Sequence, residues 1–147
     1  MKLQKVIQRL QKLHKKKIDL SLDRTFKLLQ KLGNPQDKLE NVISVVGTNS
    51  KYSMIKSFQS ILNQAGYKCN LYTSPHLQSY SERYIYDDKE IDEDNLADLL
   101  EDIEKINGSD NLSEFEALTC AYLKYCEQYK DNITFMEAGL LHQYDSC

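Results

Sequence analysis

The sequence predicts an α/β fold, a parallel sheet interleaved with helices and preceded by a helical pair. Three observations carry that reading. Residues 42–46, Val-Ile-Ser-Val-Val, form a continuous apolar and mostly β-branched run, the pattern of a strand covered on both faces. A helical pattern over about residues 52–65 and a second short strand at Cys69–Tyr72 follow it. Strand, helix and strand with tight joins make a βαβ unit, whose strands lie parallel and adjacent or nearly so. A third strand pattern, Ile-Thr-Phe-Met at residues 133–136, follows two further helical stretches.

Leu3, Val6, Ile7, Leu10 and Leu13 recur at three- and four-residue steps, which places them on one face of an opening helix. A second pattern, Leu22, Phe26, Leu29 and Leu32, ends at Gly33-Asn34-Pro35, where Gly suits a C-terminal cap and Pro forbids continuation. The helix after the first strand offers Met54, Ile55, Phe58, Ile61 and Leu62 to one face and stops at Gly66. Residues 84–91 read as a small hairpin or an extended excursion. Asp92 caps a helix that turns Leu96, Leu99, Leu100 and Ile103 inward, and the acids between Asp87 and Glu104 read as a solvated face. Ser113 and Glu116 have the spacing of a capping box, and the helix they open carries Phe115, Leu118, Tyr122 and Cys126 inward.

With 147 residues and 41% hydrophobic content, there is room for one domain with a real core. A formal net charge of −3 argues against nucleic acid or an anionic membrane as the main partner, and the block Lys15-Lys16-Lys17 is too short to reverse this. No apolar segment approaches the ~20 residues a bilayer needs, and the N-terminus is amphipathic and lysine-bearing, so the expected location is cytoplasmic. Cys69, Cys120, Cys126 and Cys147 include no C-x-x-C pair and no matching His spacing, which argues against zinc; the first three read as small core residues.

Chemistry concentrates between the first strand and its helix, at Gly47-Thr48-Asn49-Ser50-Lys51-Tyr52-Ser53. Amides opening a helix are unpaired and lie at the positive end of its dipole, so they suit an anion, and Lys51 adds a point charge. Ser53 can place a hydroxyl on a phosphate-bound Mg²⁺. The strict pattern Gly-x-x-x-x-Gly-Lys-[Ser/Thr] is not met, since Val45, Ser50 and Tyr52 stand where it asks for Gly, Gly and Ser or Thr. Thr73-Ser74-Pro75-His76-Leu77 leaves the second strand at the end where open parallel sheets bind ligands, making Ser74 and His76 candidates for metal or substrate contact. Glu137 ends the third strand at the same rim, where an ATPase would hold Mg²⁺ or its bound water.

Several segments in one order resemble the folylpolyglutamate synthase/dihydrofolate synthase family of the Mur-ligase superfamily. They are Leu13-His14 through Ile18-Asp19-Leu20, Leu32-Gly33-Asn34-Pro35, the loop from Gly47 to Ser53, Ala65-Gly66-Tyr67-Lys68, the turn from Thr73 to Leu77, Glu82-Arg83, Phe115-Glu116-Ala117-Leu118-Thr119, and Glu137-Ala138-Gly139-Leu140. The resemblance implies a Mur-ligase-like ATP-binding domain and an ATP-dependent ligase that activates a folate or dihydropteroate carboxylate as an acyl phosphate for attack by glutamate. Carried over, Gly47, Thr48, Asn49, Ser50, Lys51, Tyr52 and Ser53 belong to the ATP loop, and Ser53, Ser74 and Glu137 to the Mg²⁺ site. Ser113, Glu114, Phe115, Glu116, Tyr144, Asp145 and Ser146 fall where the family contacts its pterin-bearing substrate.

Departures shape the expectation. The family's usual loop is Gly-Thr-Asn-Gly-Lys-Gly-Ser, so Ser50 and Tyr52 replace two glycines; a Cβ at a position requiring positive φ costs on the order of 1 kcal/mol. Gln143 stands where the family has Arg, while Asp145 is kept. By this resemblance the chain is a single incomplete domain, with N-terminal helices over residues 1–40 and a βαβ core over 41–147, and the family's C-terminal domain is absent. It implies no turnover from these residues alone, a strand edge and apolar helix faces left uncovered, and a monomer when full length. The runner-up is a non-catalytic nucleotide- or pterin-binding remnant; an ordinary P-loop kinase or NTPase leaves the later segments as coincidences.

Overall fold

The computed structural model describes residues 2–13, 22–47, 50–73 and 78–137. Helices α1 (Lys2–Leu13) and α2 (Asp23–Lys31) precede β1 (Val42–Val45), α3 (Lys51–Gln64) and β2 (Cys69–Tyr72). A 3₁₀ turn (Tyr80–Arg83) leads into the hairpin β3 (Tyr84–Tyr86) and β4 (Lys89–Glu90), followed by α4 (Glu93–Asn107), α5 (Glu114–Cys126) and β5 (Ile133–Glu137). The sheet runs β1-β5-β2-β3-β4. β5 enters between β1 and β2, parallel to both, and the hairpin continues the sheet antiparallel beyond β2. The βαβ unit is therefore parallel, with one strand between its two members.

Side-chain alternation along the strands divides the core in two. Val45, Cys69, Leu71 and Phe135 face α3 and meet Ile55. Tyr72, Met136, Tyr84 and Tyr86 face the layer of α1, α2, α4 and α5. On that side the hydroxyls of buried tyrosines are used to tie α5 to the sheet. Tyr122 donates to the Phe135 carbonyl at 3.0 Å, Tyr84 to the Leu118 carbonyl at 2.9 Å, and Thr119 to the Tyr72 oxygen at 3.3 Å. The rings of Tyr72, Tyr84 and Tyr122 are thus buried with their polar ends partnered, whereas the buried Tyr86 hydroxyl has no hydrogen-bond partner among the described residues. At the far end of β2, buried Asn70 accepts from the Asp87 amide at 2.9 Å and so pins the hairpin turn, whose Asp87 and Asp88 have φ 53 and 65.

Capping follows the sequence closely. Asp92 accepts from the Asp94 amide at the head of α4, and Ser113 and Glu116 form the expected box on α5. Among the described residues, no helix is long and apolar enough to cross a membrane.

Three expectations are corrected. The run at residues 42–46 is not covered on both faces: β1 is the edge strand, and Val42 and Ile43 are 43% and 44% exposed. In α3, Ile55 is buried and Leu62 packs against the sheet, but Met54, Phe58 and Ile61 are exposed, because the helix lies mainly over β2 and β5 and reaches β1 chiefly at Val45. Phe26 points outward, and α2 instead buries Thr25, Leu28 and Leu29, with Leu32 just beyond. The acids of α4 lie on a largely solvated face as expected, and at its margin Lys2 pairs with Asp98 and Arg9 meets Glu104 at 2.9 Å, linking α1 to α4 at the surface. Among the described residues, the outer edge of β1 and the α3 stripe of Met54, Phe58 and Ile61 are exposed.

Candidate nucleotide and substrate site

The β1–β5 register sets Val45 beside Glu137, so the β5 carboxylate stands level with the point where the chain leaves β1. The chain turns at Gly47, with φ 148, and α3 begins at Lys51. The Lys51 side chain folds back over the turn: its Nζ donates to the Gly47 carbonyl at 2.9 Å and lies 3.9 Å from the Glu137 carboxylate. Only 14% of the Lys51 side chain and 5% of the Glu137 side chain reach solvent, so the pair is weakly screened. Two segments 86 positions apart in the chain thereby meet at the carboxyl rim of the sheet.

Ser50, at the N-cap of α3, has φ 64 and makes no side-chain capping bond. Among the described residues no side-chain cap takes the first-turn amides, which lie at the positive end of a fourteen-residue helix. Tyr52 points outward and is 54% exposed; Ser53, also exposed, lies in the same first turn. First-turn amides, one ammonium, a hydroxyl and a buried carboxylate form a donor set that fits a polyphosphate with a divalent cation. Gly47, Lys51 and Glu137 are brought into contact, while Ser50, Tyr52 and Ser53 adjoin them at the N-cap and in the first turn of α3. Thr48, Asn49 and Ser74 lie outside the described residues, as does His76. Thr73, which precedes Ser74, is anchored by its amide to the Arg83 carbonyl at 3.1 Å.

The second candidate stretch is the first turn of α5. The Ser113 hydroxyl accepts from the Glu116 amide at 3.1 Å, and the Glu116 carboxylate accepts from the Ser113 amide at 2.9 Å. That same carboxylate receives the Arg24 guanidinium, Nη2 at 2.8 Å and Nε at 3.1 Å. Glu114 accepts from the Tyr80 hydroxyl at 2.5 Å and from the Gln11 amide at 2.8 Å. Burial, followed by the Glu114 carboxylate beside it, pushes the Tyr80 hydroxyl up to about 12. Phe115 is partly buried, its ring 6.5 Å from that of Tyr72. Tyr144, Asp145 and Ser146 lie outside the described residues.

Sequence reasoning missed Gln11, Arg24 and Tyr80. They stand 103, 92 and 34 positions from the acids they bind, so no local pattern announces them.

No protein-family model matches the chain. Individual relatives do. The dihydrofolate synthetase of Saccharomyces cerevisiae is 34% identical over 131 residues, 88% of this chain and 30% of the relative. The dihydrofolate synthase/folylpolyglutamate synthase of Escherichia coli is 34% identical over 137 residues, 93% of this chain and 32% of the relative. Among solved structures, Escherichia coli FolC in complex with DHPP and ADP superposes with a TM-score of 0.89 at 33% identity, over 98% of this chain and 34% of that one. The Yersinia pestis bifunctional enzyme complexed with AMPPNP and Mn ion gives 0.89 at 29% identity, over 98% and 35%.

A mostly parallel sheet whose edge strand opens through a lysine-bearing turn into a helix, matched at this depth, has the Mur-ligase-like fold of the N-terminal part of FolC. The chain spans about a third of the length of the relatives it matches. It belongs to the dihydrofolate synthase/folylpolyglutamate synthase family, and corresponds to the N-terminal part of its members.

Proposed function

We propose that this chain supplies the ATP-binding part of a ligase joining glutamate to a folate or dihydropteroate carboxylate. The observation that supports it most is the convergence of Lys51 and Glu137 beside the uncapped first turn of α3. In this reading the α3 amides and Lys51 hold the ATP phosphates, with Gly47, Thr48, Asn49, Ser50 and Tyr52 shaping the loop. Ser53, Ser74 and Glu137 hold Mg²⁺, which supplies charge neutralisation for transfer of the terminal phosphoryl group to the substrate carboxylate. Ser113, Glu114, Phe115, Glu116, Tyr144, Asp145 and Ser146 form the pterin-side contact surface. The three buried thiols, Cys69, Cys120 and Cys126, suit a reducing, cytoplasmic setting.

The reading includes no turnover by these 147 residues alone. Titration calorimetry with Mg-ATP tests the binding half: the expected result is saturable binding abolished or severely weakened by Lys51→Ala. Equal binding by both forms overturns it. ADP release by the chain alone, dependent on dihydropteroate or folate and on glutamate, overturns the claim of inactivity.

One observation favours a second reading, a nucleotide- or pterin-binding remnant without catalysis. Ser50 occupies the left-handed region in which glycine is the unstrained residue. Binding without turnover in a full-length protein carrying this segment supports the remnant; binding with turnover supports the ligase.

A further inference from the structure

The first turn of α5 is gripped from three sides. Arg24, the second residue of α2, reaches Glu116; Gln11, near the end of α1, and Tyr80, in the 3₁₀ turn before β3, both reach Glu114. The Arg24 and Glu116 side chains are 17% and 9% exposed, so this bidentate contact is largely shielded from water. Glu116 also accepts from the Ser113 amide. Both acids of the candidate pterin-side stretch are thus engaged within the protein, and between them the half-buried ring of Phe115 rests against the core beside Tyr72.

We propose that Arg24 and Tyr80 are positioning residues for pterin-bearing substrate, acting through Glu116 and Glu114 to set the angle of the α5 first turn and of Phe115. The inference rests on the ligase reading of this chain. It adds an internal role to the contact role proposed for the two acids, whose carboxylates accept from Arg24, Tyr80 and Gln11. A capping box alone fixes the start of a helix; it does not fix that start relative to α1, α2 and the β2–β3 connection. The three hydrogen-bonded partners do, since each joins α5 to a different element at a distance in sequence. Recognition of a planar ligand is sensitive to such shifts, as misplacement by about 1 Å costs up to about a hundredfold in related settings.

The experiment is fluorescence titration of the full chain with dihydropteroate, alongside Mg-ATP titration and thermal melting of each variant. Tyr80→Phe removes one hydroxyl and keeps the ring against Arg83, whose guanidinium lies 5.3 Å from its centroid. It is expected to weaken dihydropteroate binding roughly five- to tenfold, with Mg-ATP affinity unchanged. Arg24→Ala is expected to weaken it further, and Arg24→Lys to recover part of the loss. Parallel losses for both ligands overturn the proposal in favour of a purely structural role, and so does unchanged dihydropteroate affinity in Tyr80→Phe. Absence of dihydropteroate binding by the unaltered chain overturns the functional reading itself, and the positioning role with it.

Discussion

The Lys51 ammonium donates to the carbonyl of Gly47, four residues back, at 2.9 Å, and so lies over the mouth of its own loop with Glu137 3.9 Å away. This ion pair and hydrogen bond hold the charge where a phosphate would approach, at little conformational cost on binding. Lys51→Met keeps the stem and removes the charge. Deleting a charged donor from a largely buried site predicts Mg-ATP affinity reduced by about tenfold to a hundredfold, read by calorimetry, with the far-UV spectrum unchanged.

Ser50 sits at φ 64 with no capping bond to offset the strain. Left-handed backbone costs a residue with a Cβ about 1–2 kcal/mol, of which the greater unfolded-state freedom of glycine returns part. Ser50→Gly is therefore expected to raise the melting temperature slightly and to leave Mg-ATP affinity nearly unchanged, since the strain is already present before nucleotide binds. A weaker nucleotide complex in the glycine variant argues that the Ser50 hydroxyl itself touches the nucleotide.

Tyr80 titrates high, at about 12, because it is buried and then because it donates to Glu114. The folded protein holds that proton more tightly than the unfolded chain, in which tyrosine titrates near 10. Its contribution to stability is complete below pH 10 and is lost as the pH rises from 10 towards 12. Denaturant melts across that window should fall less steeply for Tyr80→Phe than for the unaltered chain. A residual slope is expected, since burial also raises Tyr86 and Tyr125.

Edge strand β1 and the α3 stripe place Ile43, Met54, Phe58 and Ile61 in water. An apolar strand edge without charge or proline invites association. Ile43→Lys with Phe58→Lys should lower binding of a hydrophobic dye and raise the soluble concentration. Phe26→Lys, at an exposed aromatic on α2, serves as the comparison and should change both less.

Ser113 caps α5 through a 3.1 Å bond from the Glu116 amide. Ser113→Ala should cost about 1 kcal/mol in chemical denaturation, whereas Ser113→Gly should cost only a few tenths.

The sequence by itself determined what local chemistry settles. The strand, loop and helix around Lys51, the cap at Asp92, the box at Ser113 and Glu116, and the hairpin were legible because each depends on residues within one or two turns of one another. The placement of Glu137 at the rim was legible for a related reason: parallel strands bring their carboxyl ends to one side. Tertiary structure alone decided which apolar surfaces are buried. Residues 42–46 have the letters of a central strand, but β5 enters on one side of β1 only, and burial is a property of neighbours, not of hydrophobicity. Phe26 likewise lost its place to Leu28 and Leu29 when α2 settled on α5. The grip of Gln11, Arg24 and Tyr80 on the α5 turn was hidden altogether, because a side chain finds partners across the chain only after the backbone has brought them within reach.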